Sequence, residues 1–289
     1  MADLVGSHAA AITRACPELH AAPFRLLAEG WDSTAVEVDG RLIFKFPKSE
    51  AAEKALLREA SLLAVVRPHV SMPVPEMRIH HGPPVFSCHT KLHGEHLLTE
   101  GYHRLPETAR DRLGVALGGF YAEIHRLERE RMTAAGARPI DAWQSPQAVR
   151  TKALPKLDLD LRDYAEGIVS AFERLPPDPC GTTYGFFDGH GWNMAFDHDR
   201  ARLNGIYDFA DSGLGPLHQE FIYTNFISPD LTRRVIDAYE ASSGRKLDRP
   251  RISILTGFHR LSELAALADD PQHVPAMIGH VAAWAAAAE

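Results

Sequence analysis

Residues Tyr184–Leu217 read YGFFDGHGWNMAFDHDRARLNGIYDFADSGLGPL. An acid, Asp188, is followed five positions later by an amide, Asn193, and fifteen positions after that by a second acid, Asp208. Each adjoins an apolar run: Phe186-Phe187, Met194-Ala195-Phe196 and Gly205-Ile206-Tyr207. Short apolar runs beside turn residues predict buried strands with the polar groups at their ends. Groups offered from strand ends are held still by the scaffold behind them. Two carboxylates and an amide on neighbouring strand ends can take a divalent cation and a hydroxyl, which is the equipment of phosphoryl transfer. Asp188 and Asn193 alone would equally make an Asx-capped turn; Asp208 favours the metal reading.

Upstream, two awkward charges answer each other. Leu42-Ile43-Phe44-Lys45-Phe46 reads as a strand ended by Pro47, and Lys45 interrupts its apolar run. A lysine in such a place needs an anion or a carboxylate, or else snorkels at a strand edge. The stretch Ser49–Val66 predicts a helix capped by Ser49, with Ala52, Leu56, Glu59, Ala60 and Leu63 on one face. Glu59 therefore lies on or beside the buried stripe, and pairing with Lys45 supplies each charge with its partner.

The rest of the chain falls into place around these groups. Ala2–Cys16 predicts a helix stopped by Pro17; Phe24–Leu27 and Ala35–Val38 predict strands joined by the turn AEGWDS. Asp39-Gly40 is a strong hairpin signal leading into the Lys45 strand. Two further strands, Glu76–Ile79 and Pro84–His89, precede a relaxed segment running to Gly94. Beyond it lie a long amphipathic helix, Pro106–Leu127, a Pro-broken stretch to Pro155, and helices at Leu159–Leu175, Gln219–Asn225, Asp230–Ser243, Pro250–Leu267 and His273–Ala288. This predicts an α+β protein in two parts, a strand-rich part at residues 1–93 and a helical remainder at residues 94–289.

Bulk properties narrow the partners. The chain has 289 residues, 31 Lys plus Arg against 38 Asp plus Glu, and a net charge of −7. That disfavours a nucleic-acid partner, which wants a basic face. The three cysteines, Cys16, Cys88 and Cys180, are far apart, so a reducing cytoplasmic setting without a disulfide framework or zinc site is expected. The N-terminus has no apolar core of signal-peptide length, and no window reaches membrane-spanning length. The histidines are scattered without ligand spacing; His190 and His198 flank the acids and are expected at the surface or in hydrogen bonds. Trp31 and Trp192 are expected to pack.

The order of these features is glycine-containing turn, strand Lys, helix Glu, apolar strand into a linker, long helix, D-x4-N, then D-F. It resembles the protein-kinase signature set, and more closely the aminoglycoside phosphotransferase family of small-molecule kinases. That family's H-G-D-x4-N and I-D-F-x-D-A runs compare with Phe186-Phe187-Asp188-Gly189-His190-Gly191-Trp192-Asn193 and Ile206-Tyr207-Asp208-Phe209-Ala210-Asp211. The resemblance covers residues 24–225 and implies a two-lobed protein-kinase-like fold, with an N-terminal antiparallel sheet and a mainly helical C-terminal lobe. It implies ATP or GTP as donor, Mg2+ as metal, and a small-molecule hydroxyl as acceptor, foremost on an aminoglycoside or related antibiotic. A metabolite alcohol of choline, homoserine or sugar type, and a non-catalytic nucleotide-binding protein, are the rival expectations.

Position by position, the resemblance implies that Asp188 handles the proton of the attacking hydroxyl. Asn193 and Asp208 would hold magnesium. Lys45, aligned by Glu59, would contact the α- and β-phosphates. Backbone groups at Thr90 and Leu92 would bind the purine. The turn Gly30-Trp31-Asp32-Ser33 would close over the phosphates, with Ser33 as a hydroxyl donor, and Asp211 would meet a substrate ammonium or hydroxyl. The chain departs from the family in having Phe186 and Phe187 where a histidine and a glycine are usual, and in the bulk of Trp192.

Overall fold

The computed structural model describes residues 2–29 and 32–288. A helix, α1 (Ala2–Ala15), leads into an antiparallel sheet formed by β1 (Phe24–Glu29), β2 (Ser33–Val38), β3 (Leu42–Pro47), β4 (Arg78–His80) and β5 (Phe86–Thr90), in the order β1-β2-β3-β5-β4. The predicted Asp39-Gly40 turn is present. Both residues have positive φ, 56° and 65°, which matches the turn to the twist of the strands. Strand β1 runs two residues further than predicted and absorbs the start of the AEGWDS turn. Gly30 and Trp31 of that turn lie outside the described residues.

Helix α2 (Glu50–Val66) crosses the sheet. Ser49 caps it as predicted, its hydroxyl accepting the Ala52 N–H at 3.1 Å. Strands β4 and β5 begin two residues later than the sequence suggests. The sheet's own core joins α1 to the strands through Ile12, Val36, Val38, Phe44, Phe46 and Phe86.

The remainder is mainly helical. It comprises α3 (Thr99–His103), α4 (Glu107–Ile124), α5 (Arg129–Ala134), α6 (Pro146–Ala148), α7 (Leu159–Glu173), α8 (Pro229–Ser243), α9 (Arg249–Ala266) and α10 (Val274–Ala288). Leu113, Leu117, Phe120, Ile124 and Leu127, the predicted core face of the long helix, are all buried in the largest core cluster. Two small ladders stand among the helices. β6 (Thr182–Gly185) pairs with β9 (Gly213–Pro216), and β7 (Met194–Asp197) with β8 (Arg202–Ile206). Phe186-Phe187 is therefore not a strand: β6 stops at Gly185 and the pair forms a buried turn. The predicted helix at Gln219–Asn225 is a ten-residue 3-10 segment, Leu217–Phe226.

Helices α4 and α8 approach closely along a glycine seam. A Cβ on Gly118 would meet the Ala238 Cβ and Val235 carbonyl at 2.7 Å and the Tyr239 nitrogen at 2.8 Å. Backbone atoms cannot yield there, so glycine sets the interhelical distance. Gly118→Val is expected to cost about 2–3 kcal/mol through overpacking. Thermal or urea denaturation reads the loss, and an unchanged midpoint would show that the seam is not close-packed.

Candidate active site

Two turns carry the acids. The first follows β6, where Phe187 adopts φ 53° and presents Asp188. The second follows β8, where Asp208 itself has φ 67°. Left-handed backbone at residues other than glycine costs roughly 1–2 kcal/mol each and persists where the surroundings enforce it. Phe186, standing in place of the family's usual histidine, is fully buried and packs its ring 4.7 Å from Phe209. Phe120 on α4 abuts both rings edge-on. An apolar contact thus joins the two acid-bearing turns.

Lys45 meets Glu59, as the sequence suggests, and Asp208 joins them, which the sequence did not suggest. The Lys45 ammonium lies 3.6 Å from Glu59 and 3.0 Å from Asp208. Burial opposes its charge, but the two carboxylates outweigh that and raise its pKa above the ordinary lysine value. Glu59 also accepts the Phe209 N–H at 3.0 Å, so the α2 carboxylate fixes the turn that carries Asp208. Arg58 reaches the same turn, donating to the Ala210 carbonyl at 3.2 Å.

Asp188 and Asn193 are in direct contact. The Asn193 amide donates to the Asp188 carboxylate at 2.6 Å and to its carbonyl at 3.0 Å. The other carboxylate oxygen faces His190 Nε2 at 3.0 Å. Burial would lower the His190 pKa, but Asp188 outweighs it and raises it. The oxygen donors of Asn193 and Asp208 have the hard character that Mg2+ requires, so the residues present fit that ion.

Asp211 lies beside the pair, exposed at the cleft surface. Crowding by protein and the charges of Asp188, Asp208, Asp141 and Asp32 push its carboxyl up to about 6. Asp32, just before β2, is thus close enough for its charge to be felt at Asp211. Ser33 lies at the start of β2, in register with Pro47, at the Lys45 end of the sheet. Thr90 ends β5, and the Leu92 side chain packs over Gly205, whose Cβ would meet it at 2.8 Å. A separate concavity is lined by Arg233, Arg249 and Trp284, away from this cleft and without its converging acids.

Comparison with known proteins places this cleft in a family. A model described as the phosphotransferase enzyme family matches residues 23–255. The chain belongs to that family. Among solved structures, the phosphotransferase is similar to the GDP complex of aminoglycoside 2'-phosphotransferase-IIIa. The TM-score is 0.83 at 22% identity, covering 98% of both chains. It is also similar to a macrolide 2'-phosphotransferase from Brachybacterium faecium, with TM-score 0.68 and 17% identity, covering 94% of this chain and 97% of that one. A gentamicin complex of an aminoglycoside 2''-phosphotransferase gives TM-score 0.65 at 18% identity, covering 94% and 95%. At these identities the likeness establishes the kinase-like fold. No curated protein matches the sequence.

Sequence reasoning missed Glu220. It is completely buried on the 3-10 segment, and its two oxygens accept the N–H groups of Phe186 and Phe187 at 2.8 Å each. His125, which caps the C-terminus of α4, lies 3.2 Å from one of those oxygens, with Tyr239 beyond it at 3.1 Å. The available signal was weak: Glu220 is the one acidic residue in Leu217–Phe226 and directly precedes the apolar Phe221-Ile222-Tyr223. Trp192 also departs from expectation. It is 56% exposed, with its carbonyl taken by His96 at 2.8 Å and the Tyr207 hydroxyl at 2.9 Å. Another cluster, Asp178, Cys180 and His218, is knit by hydrogen bonds: His218 Nδ1 donates to Asp178 at 2.8 Å, and Nε2 accepts the Asp248 N–H at 2.9 Å.

Glu220→Gln offers one acceptor to two N–H donors. The variant is expected to lose roughly tenfold in kcat with a near-normal nucleotide KM, and about 2–3 kcal/mol of stability. A wild-type kcat in a folded variant would remove Glu220 from any role in holding the Asp188 turn.

Proposed function

We propose that the protein transfers the γ-phosphoryl group of ATP or GTP to a hydroxyl of a small cationic molecule, foremost an aminoglycoside or related antibiotic, in a Mg2+-dependent reaction. The nucleotide lies between residues 1–93 and residues 94–289. The observation that carries this reading is the convergence of Lys45, Glu59 and Asp208 from three distant segments onto one point beside Asp188 and Asn193. A structural ion pair needs two partners; a lysine with two carboxylates, one of them on a strained turn, suits exchange of one partner for phosphate. The free thiols of Cys16, Cys88 and Cys180 agree with a cytoplasmic setting.

In this reading, Lys45 keeps Glu59 when nucleotide arrives and trades Asp208 for the α- and β-phosphate oxygens. Asp208 and Asn193 are then available to magnesium, whose chemistry is to neutralise phosphate charge. Ser33 and the turn before it close over the phosphates, and the backbone at Thr90 and Leu92 receives the base. Asp188 takes the proton of the acceptor hydroxyl as the hydroxyl oxygen bonds to the γ-phosphorus, while the bond from that phosphorus to the β-phosphate oxygen breaks and the nucleoside diphosphate leaves. His190 and Asn193 hold the carboxylate in a fixed plane, so positioning contributes more than basicity.

The acceptor class follows from charge. Five carboxylates, Asp32, Asp141, Asp188, Asp208 and Asp211, influence one small volume, and Asp211 resists ionisation there. A substrate ammonium relieves that repulsion and restores the Asp211 charge. Kanamycin and gentamicin, bound in two of the similar structures, are polyamines of this kind.

A panel of aminoglycosides, macrolides and metabolite alcohols, assayed for nucleotide turnover, tests the reading. Turnover confined to metabolite alcohols would overturn the antibiotic assignment. Asp188→Ala is expected to lower kcat at least about a hundredfold; turnover within threefold of wild type would refute its role. Asp211→Asn is expected to raise the KM of a polycationic acceptor about tenfold and leave the nucleotide KM unchanged. An unchanged acceptor KM would remove Asp211 from the substrate site.

A further inference from the structure

The cleft wall behind Lys45 carries a histidine that the steps above do not use. His89 on β5 stands opposite Ile43 of β3, and Ser87, two residues earlier, stands opposite Lys45. Alternation along a strand puts His89 and Ser87 on one face, shared with Ile43 and Lys45. His89 is only 7% exposed and feels the charges of both Lys45 and Asp208. The ring therefore belongs to the cleft.

Its protonation pattern is fixed by its neighbour. Nδ1 lies 2.9 Å from the Thr90 carbonyl oxygen. A carbonyl only accepts, so Nδ1 carries the hydrogen. Burial, helped by Lys45, lowers the ring pKa to about 4 against the opposing influence of the Thr90 oxygen and Asp208. At neutral pH the ring is uncharged and Nε2 is a bare acceptor. Nε2 has no hydrogen-bond partner among the described residues. The Ser87 hydroxyl, fully buried beside it, has none either. Buried polar groups are nearly always satisfied, so the unpaired Ser87 hydroxyl, with the open Nε2 acceptor next to it on the same strand face, points to a polar ligand.

The segment that follows begins at Thr90, where the phosphotransfer reading puts the purine, and the inference rests on that reading. We infer that His89 is a specificity-determining residue that selects adenine over guanine nucleotides, its Nε2 accepting a hydrogen bond from the exocyclic group at purine position 6. Adenine offers an N–H at that position. Guanine offers a carbonyl oxygen, which would set acceptor against acceptor in a desolvated site. Sites built to hydrogen-bond one partner reject an analogue that leaves a buried group unpaired. The ring cannot reverse its roles, because turning Nδ1 into an acceptor would oppose it to the Thr90 oxygen.

Calorimetric titration of the full chain with ADP, GDP and IDP, in Mg2+ and without any acceptor, tests this. IDP carries the 6-oxo group of guanine without its 2-amino group. ADP is expected to bind about tenfold tighter than both GDP and IDP. In His89→Leu the three affinities are expected to fall within about threefold of one another. In His89→Gln, whose amide can present either a donor or an acceptor, discrimination is expected to shrink while binding persists. IDP or GDP binding as tightly as ADP in the wild type overturns the inference and leaves the phosphotransfer reading standing. Discrimination that survives in both variants does the same. Failure of all three nucleotides to bind overturns both.

Discussion

One buried ammonium ties the two halves of the molecule together. Lys45 from β3 meets Glu59 from α2 and Asp208 from the turn after β8. Those segments are distant in sequence, and nothing local would bring them together. The Lys45 side chain is only 17% exposed and Glu59 almost wholly buried, so neither charge could be tolerated alone. Removing one member of such a buried set costs about 3–5 kcal/mol, because the remaining charge is stranded. The position of α2 over the sheet, and of the Asp208 turn against α2, follows from that constraint. Glu59 adds to it by capping the Phe209 N–H.

The Asp188 turn is held from the opposite side. Glu220 receives two backbone N–H groups from below, and the Phe186, Phe209 and Phe120 rings lock the same turn to its neighbour. The two acids are thus fixed by different means: an ion pair from the sheet side, and a carboxylate with an aromatic cluster from the helical side. Asp211, partly shielded from water, also feels the charges of both acids, and its carboxyl is pushed up to about 6.

What the sequence disclosed were the local contradictions. Lys45 in an apolar strand, Glu59 on an apolar helix face, Asp39-Gly40 between strands and Ser49 before a helix each violate or punctuate a period, and each is where the pattern puts it. Less was legible where structure depends on distant partners. β6 and β9 are short, and β9 contains Gly213 and Gly215, so neither has a side-chain pattern that specifies its mate. Phe186-Phe187 looks like a strand because apolar composition carries no information about the left-handed φ that turns Phe187. Gln219–Asn225 reads as an α-helix, since so short a segment does not separate α from 3-10 geometry in sequence. Trp192 was expected inside on its hydrophobicity, but its carbonyl is captured by His96 and Tyr207 and its ring is left outside.

The left-handed backbone at Phe187 also bears on how this protein can change. Glycine would relax the strain, but the Phe187 ring is 97% covered and fills space against Gly185 and Gly215, so its loss opens a hole under the turn. Strain and packing are therefore bound to one side chain, and neither can be improved without harming the other. Heat-hardening by the usual route of idealising backbone would have to leave this residue alone. The sequence freedom of the loop is correspondingly small at its base. It is largest at Trp192, which the fold leaves in water.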